Sequence, residues 1–595
     1  MTVKYFSVLT DKGAARLARA VASGSKISIT TMKLGDGGGS LPEPAASMEN
    51  LVNTVYSAPL NQLSVSASDA SQLVAEMIIP EDKGGFWIRE IGLFDSDGVM
   101  IAVANCPETY KPVLAEGSGR TQTIRMIVVV SSASSVELKV DPSVVLATRA
   151  YVEEYVAQEK DSVPPLPDVW IPFNDSLDML TGFAPGYKKI TIGDDVVQVA
   201  SDKQVSFTRA STATYINKSG ELKTAEINEP RFEREGLLIE GQRTNYMLNS
   251  ETPASWGKSV SMDVPETGTD SFGFTYGKFV CKDSIIGQTS AINMASVAAT
   301  DAVDVSGDNK YVTTSCRFKT ERQVRLRIRF DRYDGSTTDF LGDVYIDAQS
   351  LEVNMTGGAS GRITARVRKD KMTGWIFAEA TIEAIDGELK VGSQIQYSPR
   401  QGEGTVSGDY IYLSTPQVEN GPCASSFIIS GASATTRASD LVSIPTKNNL
   451  YSLPFSFLVE VHKEWDVAPN AAPRVWDIAA ANTGQSAIAA INGSGGKLYM
   501  SLSDPSGTYV NSAAADVFAQ NATFGCIAKS DGKFHVVTNG EAVSEVYCEY
   551  NGVTADKNIR FGGQTNTGER HLFGHIRNFR IWHKELNDRQ LRETV

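Results

Sequence analysis

Cysteine and histidine are scarce in this chain, six and five among 595 residues, and their placement excludes several chemistries. Cys106, Cys281, Cys316, Cys423, Cys526 and Cys548 lie far apart without metal-ligand spacing, so they read as small core residues of a protein assembled in a reducing cytosol. Cys526 and Cys548 could pair across strands, and the sequence leaves that open. No histidine pair has the HExxH spacing, and the nearest two, His571 and His575, fall in a strand-turn region that lacks the shared face of a helix. No serine sits in a Gly-x-Ser-x-Gly elbow, and no pair of acids stands out as a glycosidase couple. The long regular repeats of a β-helical spike are absent too. The expectation is a protein that is not an enzyme, with glycan depolymerase activity left open.

Long apolar runs are also missing. The strongest, Ile124 to Ser132 (IRMIVVVSS), has the length of a strand and not the roughly 18 residues of a membrane span. The start, MTVKYFSVLTDKGAARLARAVASG, has no apolar core or cleavage site of a secretory signal, which predicts assembly in the cytoplasm and release by lysis. Positive charge is in deficit: 56 Lys and Arg against 70 Asp and Glu give a formal charge of -14, which argues against nucleic acid as a partner.

What is present is a chain of short strands and turns, long enough for several hydrophobic cores. Thr10 is placed to cap a helix from Asp11 to Ala22, with Ala14, Leu17, Ala18 and Val21 as its apolar stripe and Gly24 as its stop. Gly35-Asp-Gly-Gly-Gly39 has the glycines of a phosphate loop but neither the Lys-Ser/Thr ending nor a following helix. In Trp87 to Asn105, Ile88, Ile91, Leu93 and Phe94 supply apolar surface. Asp95-Ser-Asp-Gly98 turns the chain, with Gly98 at a positive backbone angle, and Val99 to Val103 returns.

The segments LTDKGAARLARA, KLGDG, REIGLFDSDG and LATRAYVEEYV resemble the attachment domain of tail fibres from contractile-tailed bacteriophages, over Met1 to about Glu154. The resemblance implies a virion tail component that joins the baseplate or an intermediate tail protein through this end and assembles as a homotrimer. After Thr148 a short helix would carry Val152, Tyr155 and Val156 on one side, either as an oligomerisation seam or as a surface helix packed on its own domain. Pro164, Pro165 and Pro167 end it.

Two related phrases bound the middle of the chain, Phe207 to Ser250 and Ile411 to Leu441, and Thr208-Arg-Ala-Ser211 recurs as Thr436-Arg-Ala-Ser439. They resemble a module of phage tail proteins whose intervening region is similar to a carbohydrate-binding jelly roll. In Val324 to Phe330 the apolar Val324, Leu326, Ile328 and Phe330 alternate with Arg325, Arg327 and Arg329, which places the arginines on the outer face, more plausibly paired with acids than reading an anionic glycan. Trp256 and Trp375 are candidates for sugar stacking or, at least as strongly, for the core.

The closing text, GHIRNFRIWHKELNDRQLRETV, resembles laminin-G or concanavalin-A-like domains, some of which bind glycans at a rim of loops, sometimes with calcium. Calcium is therefore a candidate cofactor there, and the metal content is otherwise unknown. Asn587 can cap a terminal helix with Gln590 as the partner in a capping box. Asn482, Asn566, Arg570 and His571 are the glycan-binding candidates in turns, with Trp582 as an apolar platform if it is not buried.

The fold class expected is mainly β and multidomain: an α+β N-terminal attachment domain over 1–147, a short helix and Pro-rich linker over 148–167, a β-rich connecting module over 168–248, then a carbohydrate-binding-like jelly-roll sandwich over 249–440 and a laminin-G-like sandwich over 441–595. The function expected is adsorption to a host surface polysaccharide or outer-membrane receptor. A glycan-cleaving spike and an architectural tail protein are the alternatives.

Overall fold

The computed structural model describes residues 4–66, 71–113, 120–130, 136–137, 164–180, 187–192, 195–200, 205–446, 449, 452–478, 486–514, 517–552, 558–564, 569–592 and 594. The chain is mainly β and divides into two compact units, 1–160 and 161–595.

In the first unit, β1 (Ser7–Leu9) leads into α1 (Asp11–Ser23), and β2 (Ile27–Gly35) follows. The Thr10 side chain accepts the Gly13 amide at 2.9 Å, and Gly24 ends the helix in the left-handed region. The buried stripe is Gly13, Leu17 and Ala20, while Ala14, Ala18 and Val21 are exposed, which corrects the expected stripe. The reason is Gly13: with no side chain it lets the helix settle on the Ile101 carbonyl, where any Cβ would collide, and this rotates the buried face. The hairpin β3 (Phe86–Asp95) and β4 (Met100–Lys111) forms as expected, with Ile88, Ile91, Leu93 and Phe94 at most 5% exposed. Asp95 accepts the amides of Asp97 and Val99 at 3.0 and 2.8 Å, and Gly98 has φ +80°. The glycine loop after β2 receives the protein's own anion: buried Glu90 accepts the amides of Gly37, Val52 and Asn53 at 3.3, 3.0 and 3.0 Å. Val152, Tyr155 and Val156 lie outside the described residues.

The second unit holds two sandwiches, one inserted into the other. In the outer sandwich, one sheet runs through Gly236–Ile239, Gly574–Trp582, Phe455–Lys463 and Asn521–Ala528, and its facing sheet through Ser206–Thr208, Leu441–Pro445, Asn558–Phe561 and Arg474–Ile478. Several strands of the segment 168–248, expected as a connecting module, belong to these sheets, whereas Arg243–Asn245 pairs with Tyr410–Asn420 and Thr435–Arg437. Val169–Ile171 and Gly236–Ile239 both pair with Gly574–Trp582, Ser206–Thr208 pairs with Leu441–Pro445, and their apolar side chains enter the same core. The chain leaves this sandwich after Ile239 and returns at Leu441. Between them lies the second sandwich, with sheets built on Tyr311–Lys319 with Tyr410–Asn420 and on Val324–Tyr333 with Lys390–Pro399.

Val324, Leu326, Ile328 and Phe330 are buried, and on the opposite face Arg327 and Arg329 pair with Asp343 and Asp331. Trp256 and Trp375 are 0% and 6% exposed, as core residues would be.

Each copy of the repeated Thr-Arg-Ala-Ser phrase sends its arginine to an acid beside one of the two crossings, Glu240 or Asp440. Arg209 from the first copy reaches Asp440 at 3.1 Å, and Arg437 from the second reaches Glu240 at 2.8 Å. Arg231 joins both acids, at 2.6 Å to Asp440 and 2.8 Å to Glu240. This five-member ion network is almost fully withdrawn from solvent. Burial acts to raise the Glu240 carboxyl, but Arg437, Arg231 and the bonds from Ser426 outweigh it and hold the group down at about 2.

All six cysteines are free thiols, Cys526 and Cys548 included. At the end of the chain Asn587 and Gln590 form the reciprocal capping box, at 3.1 and 2.8 Å. No helix among the described residues is long and apolar enough to cross a membrane.

Candidate functional site

A cleft of about 460 Å³ opens between the two sandwiches of the second unit. On its inner-sandwich side the Asp270 carboxylate accepts the amides of Phe272 and Phe274 at 2.9 and 3.0 Å, forming a turn closed by Gly273 at φ +101°. That turn holds two phenyl rings beside Arg317, whose guanidinium lies 4.3 Å from the centre of the Phe272 ring, 5.0 Å from Phe274 and 5.6 Å from Trp375. Asp270 also anchors Arg317 at 2.9 Å. Burial pushes the Arg317 guanidinium below its ordinary value, with Asp270 and Asp370 opposing the shift. Nearby, Arg366 pairs with Glu379 at 2.9 Å beside the Phe377 ring.

The aromatic row continues outward along the same sheet. Tyr276 lies 6.0 Å from Trp375 and 5.4 Å from Tyr412, which lies 5.5 Å from Tyr410. Lys278 sits over the last two rings, and Glu266 accepts the Tyr276 hydroxyl at 3.1 Å. These tyrosines are partly exposed, because their strands alternate and put Phe279, Ile411 and Leu413 into the core.

The outer sandwich supplies the other wall through Glu233, Arg234, Glu235, Glu464, Phe573 and His575. Arg368 crosses from the inner sandwich to Glu464 at 2.8 Å. Burial acts to raise the Glu464 carboxyl, but His462 and Arg368 overcome this and hold it well below the carboxylate range. Chemically the cleft combines apolar ring faces, guanidinium groups fixed by carboxylates, and the acids Glu233, Glu235, Glu240 and Glu464. Such a lining offers stacking surfaces and directed donors and acceptors together.

The candidates read from the sequence lie elsewhere. Asn482 and Asn566 fall outside the described residues. Arg570 is half-buried in the left-handed region, and its carbonyl accepts the Arg474 amide at 2.9 Å. His571 is 0% exposed, with Nε2 at 3.3 Å from the Asp440 carbonyl, so it braces the outer sandwich and cannot meet a ligand as an exposed turn residue. Trp582 is 0% exposed and donates to the Pro165 carbonyl at 2.6 Å, in a small core beneath the terminal helix, so it offers no platform. None of these three described residues lines the cleft. Sequence reasoning missed Phe272 and Phe274; the signal available was a Phe-Gly-Phe turn in a β-rich stretch, which has no meaning until the opposite wall is in place.

The first 150 residues match the family model described as phage tail-collar fibre protein, N-terminal. This is the region whose motifs resemble a tail-fibre attachment domain. The chain is also similar to a protein of Escherichia phage P2 named "Probable tail fiber protein", 49% identical over 163 residues, which cover 27% of this chain and 24% of that one. The chain thus spans about a quarter of the length of that relative. Among solved structures it is similar to a Ruminococcus gnavus IT-sialidase CBM40 bound to alpha2,3 sialyllactose, at 16% identity over 24% of this chain and 83% of that one, with a TM-score of 0.21. A SAP-like pentraxin from Limulus polyphemus is 14% identical over 25% of this chain and 70% of its own, with a TM-score of 0.20. The botulinum neurotoxin serotype D binding domain is 20% identical over 26% and 40% of the two chains, with a TM-score of 0.22.

Proposed function

We propose that the chain is a tail-fibre receptor-binding protein that joins a phage tail through its first unit and adsorbs to host-surface glycan through its second. The observation that carries the glycan assignment is the aromatic row from Phe272 past Arg317 to Tyr276 and Tyr412, all partly exposed, with Phe274 and Trp375 buried behind them. Sugar rings stack on such faces through their C–H groups, and the adjoining ionic side chains bond their hydroxyls. Glu233, Glu235, Glu240 and Glu464 line the cleft together with Arg234, Arg317 and Arg366, and this mixture suits a neutral or mixed-charge saccharide better than a polyanion. The tail-fibre reading is supported by the family match over the first 150 residues. In this reading the fibre is a homotrimer, the N-terminal unit meets the baseplate or an intermediate tail protein, and several heads per particle raise the effective concentration so that each contact can be weak. Adsorption proceeds without bond cleavage.

Incubating the full chain with host envelope polysaccharide, followed by both capture and product analysis, separates the readings. Retained and intact polysaccharide supports adsorption. Shortened polysaccharide points to a depolymerase, and no retention with intact binding to other tail proteins points to an architectural part.

A further inference from the structure

We infer that Glu233, Glu235 and His575 form a binding site for a first-row transition-metal dication of the zinc class, on the outer-sandwich wall of the cleft. One ligand atom from each of the three lies within 4.8 Å of the others. In a tetrahedral sphere with bonds near 2.1 Å neighbouring donors lie about 3.4 Å apart, so side-chain movements of about 1 Å bring all three donors onto one ion.

The fold brings them together by a specific contact. Phe232–Glu233 and Gly236–Ile239 form a tight hairpin whose turn carries Arg234 and Glu235, and its second strand pairs Leu238 with His575. Gly236, at φ +123°, has no Cβ to strike the Ile576 carbonyl, so the hairpin settles against the strand Gly574–Trp582.

The state of the His575 ring suits such a site. His575 is only 4% exposed, its Nε2 lies 2.9 Å from Glu233 Oε2, and its Nδ1 has no hydrogen-bond partner. With no donor engaging Nδ1, the ring can carry its proton there and turn the Nε2 lone pair toward the acids, and it lines the cleft together with both glutamates. The neighbouring His462 ring lies 5.3 Å away, with its Nε2 3.6 Å from Glu464. Glu233 is already oriented, because it accepts the Ile216 amide at 2.7 Å. That is the kind of supporting bond that fixes a metal ligand.

The donor set selects the ion. Imidazole with two carboxylates suits zinc, cobalt or nickel, whereas calcium calls for six to eight oxygen donors. Three protein ligands leave coordination positions for water or for oxygen atoms of a molecule in the cleft. This inference does not depend on the glycan reading.

Titration of the full chain with zinc chloride, followed calorimetrically, and with cobalt(II), followed by its visible absorption, tests the site. The expected result is one saturable equivalent, not displaced by a hundredfold excess of calcium or magnesium. Glu235→Gln, at a half-exposed turn, should weaken zinc binding by more than about tenfold with an unchanged circular dichroism spectrum, and His575→Gln should abolish the cobalt absorption. Absence of stoichiometric uptake overturns the site. So does uptake that Glu235→Gln leaves unchanged, which would place the ion on other histidines, or ready displacement by calcium.

Discussion

Gly98 closes the Asp95 turn at φ +80°, a backbone angle that a β-branched residue reaches only with strain. Nothing crowds the position, so the cost of a substitution there is conformational and not steric. Gly98→Val should lower the stability of the first unit by roughly 1–3 kcal/mol, read as a lower denaturation midpoint; an unchanged midpoint removes this account of the turn. Glu240 gives a pH prediction. Its folded value of about 2 lies below the ordinary 4.5, so its stabilising contribution is complete above about 4.5 and is lost as pH falls through about 2. Thermal unfolding of the second unit should therefore move to lower temperature over that window, and Glu240→Gln should flatten the dependence. An equal slope in variant and parent would mean that the network does not hold this charge. Asp440, fully buried between Arg209 and Arg231, is the more demanding member. Asp440→Asn leaves two guanidinium groups undercompensated and should cost about 3–5 kcal/mol in the same denaturation measurement.

The elements show which signals the sequence carries well. Caps and turns were legible because they depend on neighbours in the chain: Thr10 with Gly13, Asp95 with Val99, Asn587 with Gln590. So was the alternation of Val324 to Phe330, whose period alone separates core from surface. The stripe of α1 was misread because helical periodicity favours large apolar residues, while the packing is decided by a close approach at Gly13 that only the opposing Ile101 carbonyl defines. Gly13→Ala should thus destabilise the first unit by about 1–3 kcal/mol through overpacking, although alanine is the better helix former. A stabilised variant in chemical denaturation would contradict that contact.

At the scale of the molecule, the outer sandwich is assembled from both sides of an inserted domain, and strand pairing of that range has no local signature. The phrase Thr-Arg-Ala-Ser was visible twice, but its meaning, two arginines entering one buried network at the crossing, needed the fold. The cleft was illegible for the same reason. Phe272 and Phe274 are some 300 residues from His575, and each wall alone reads as ordinary sandwich surface. The loop candidates came from residue type within single turns, and His571 and Trp582 prove to be interior.

The central claim is that the aromatic row at the cleft, and not the loops around Asn566, reads the host glycan. Calorimetric titration of the full chain with a host polysaccharide fragment, comparing the parent with Phe272→Ala/Tyr412→Ala and with Asn566→Ala/Arg570→Ala, tests it most directly. Loss of two stacking faces should weaken binding by at least about tenfold, while the loop pair should stay close to the parent. Undiminished affinity in a folded Phe272→Ala/Tyr412→Ala protein, or a loss confined to Asn566→Ala/Arg570→Ala, would contradict the account.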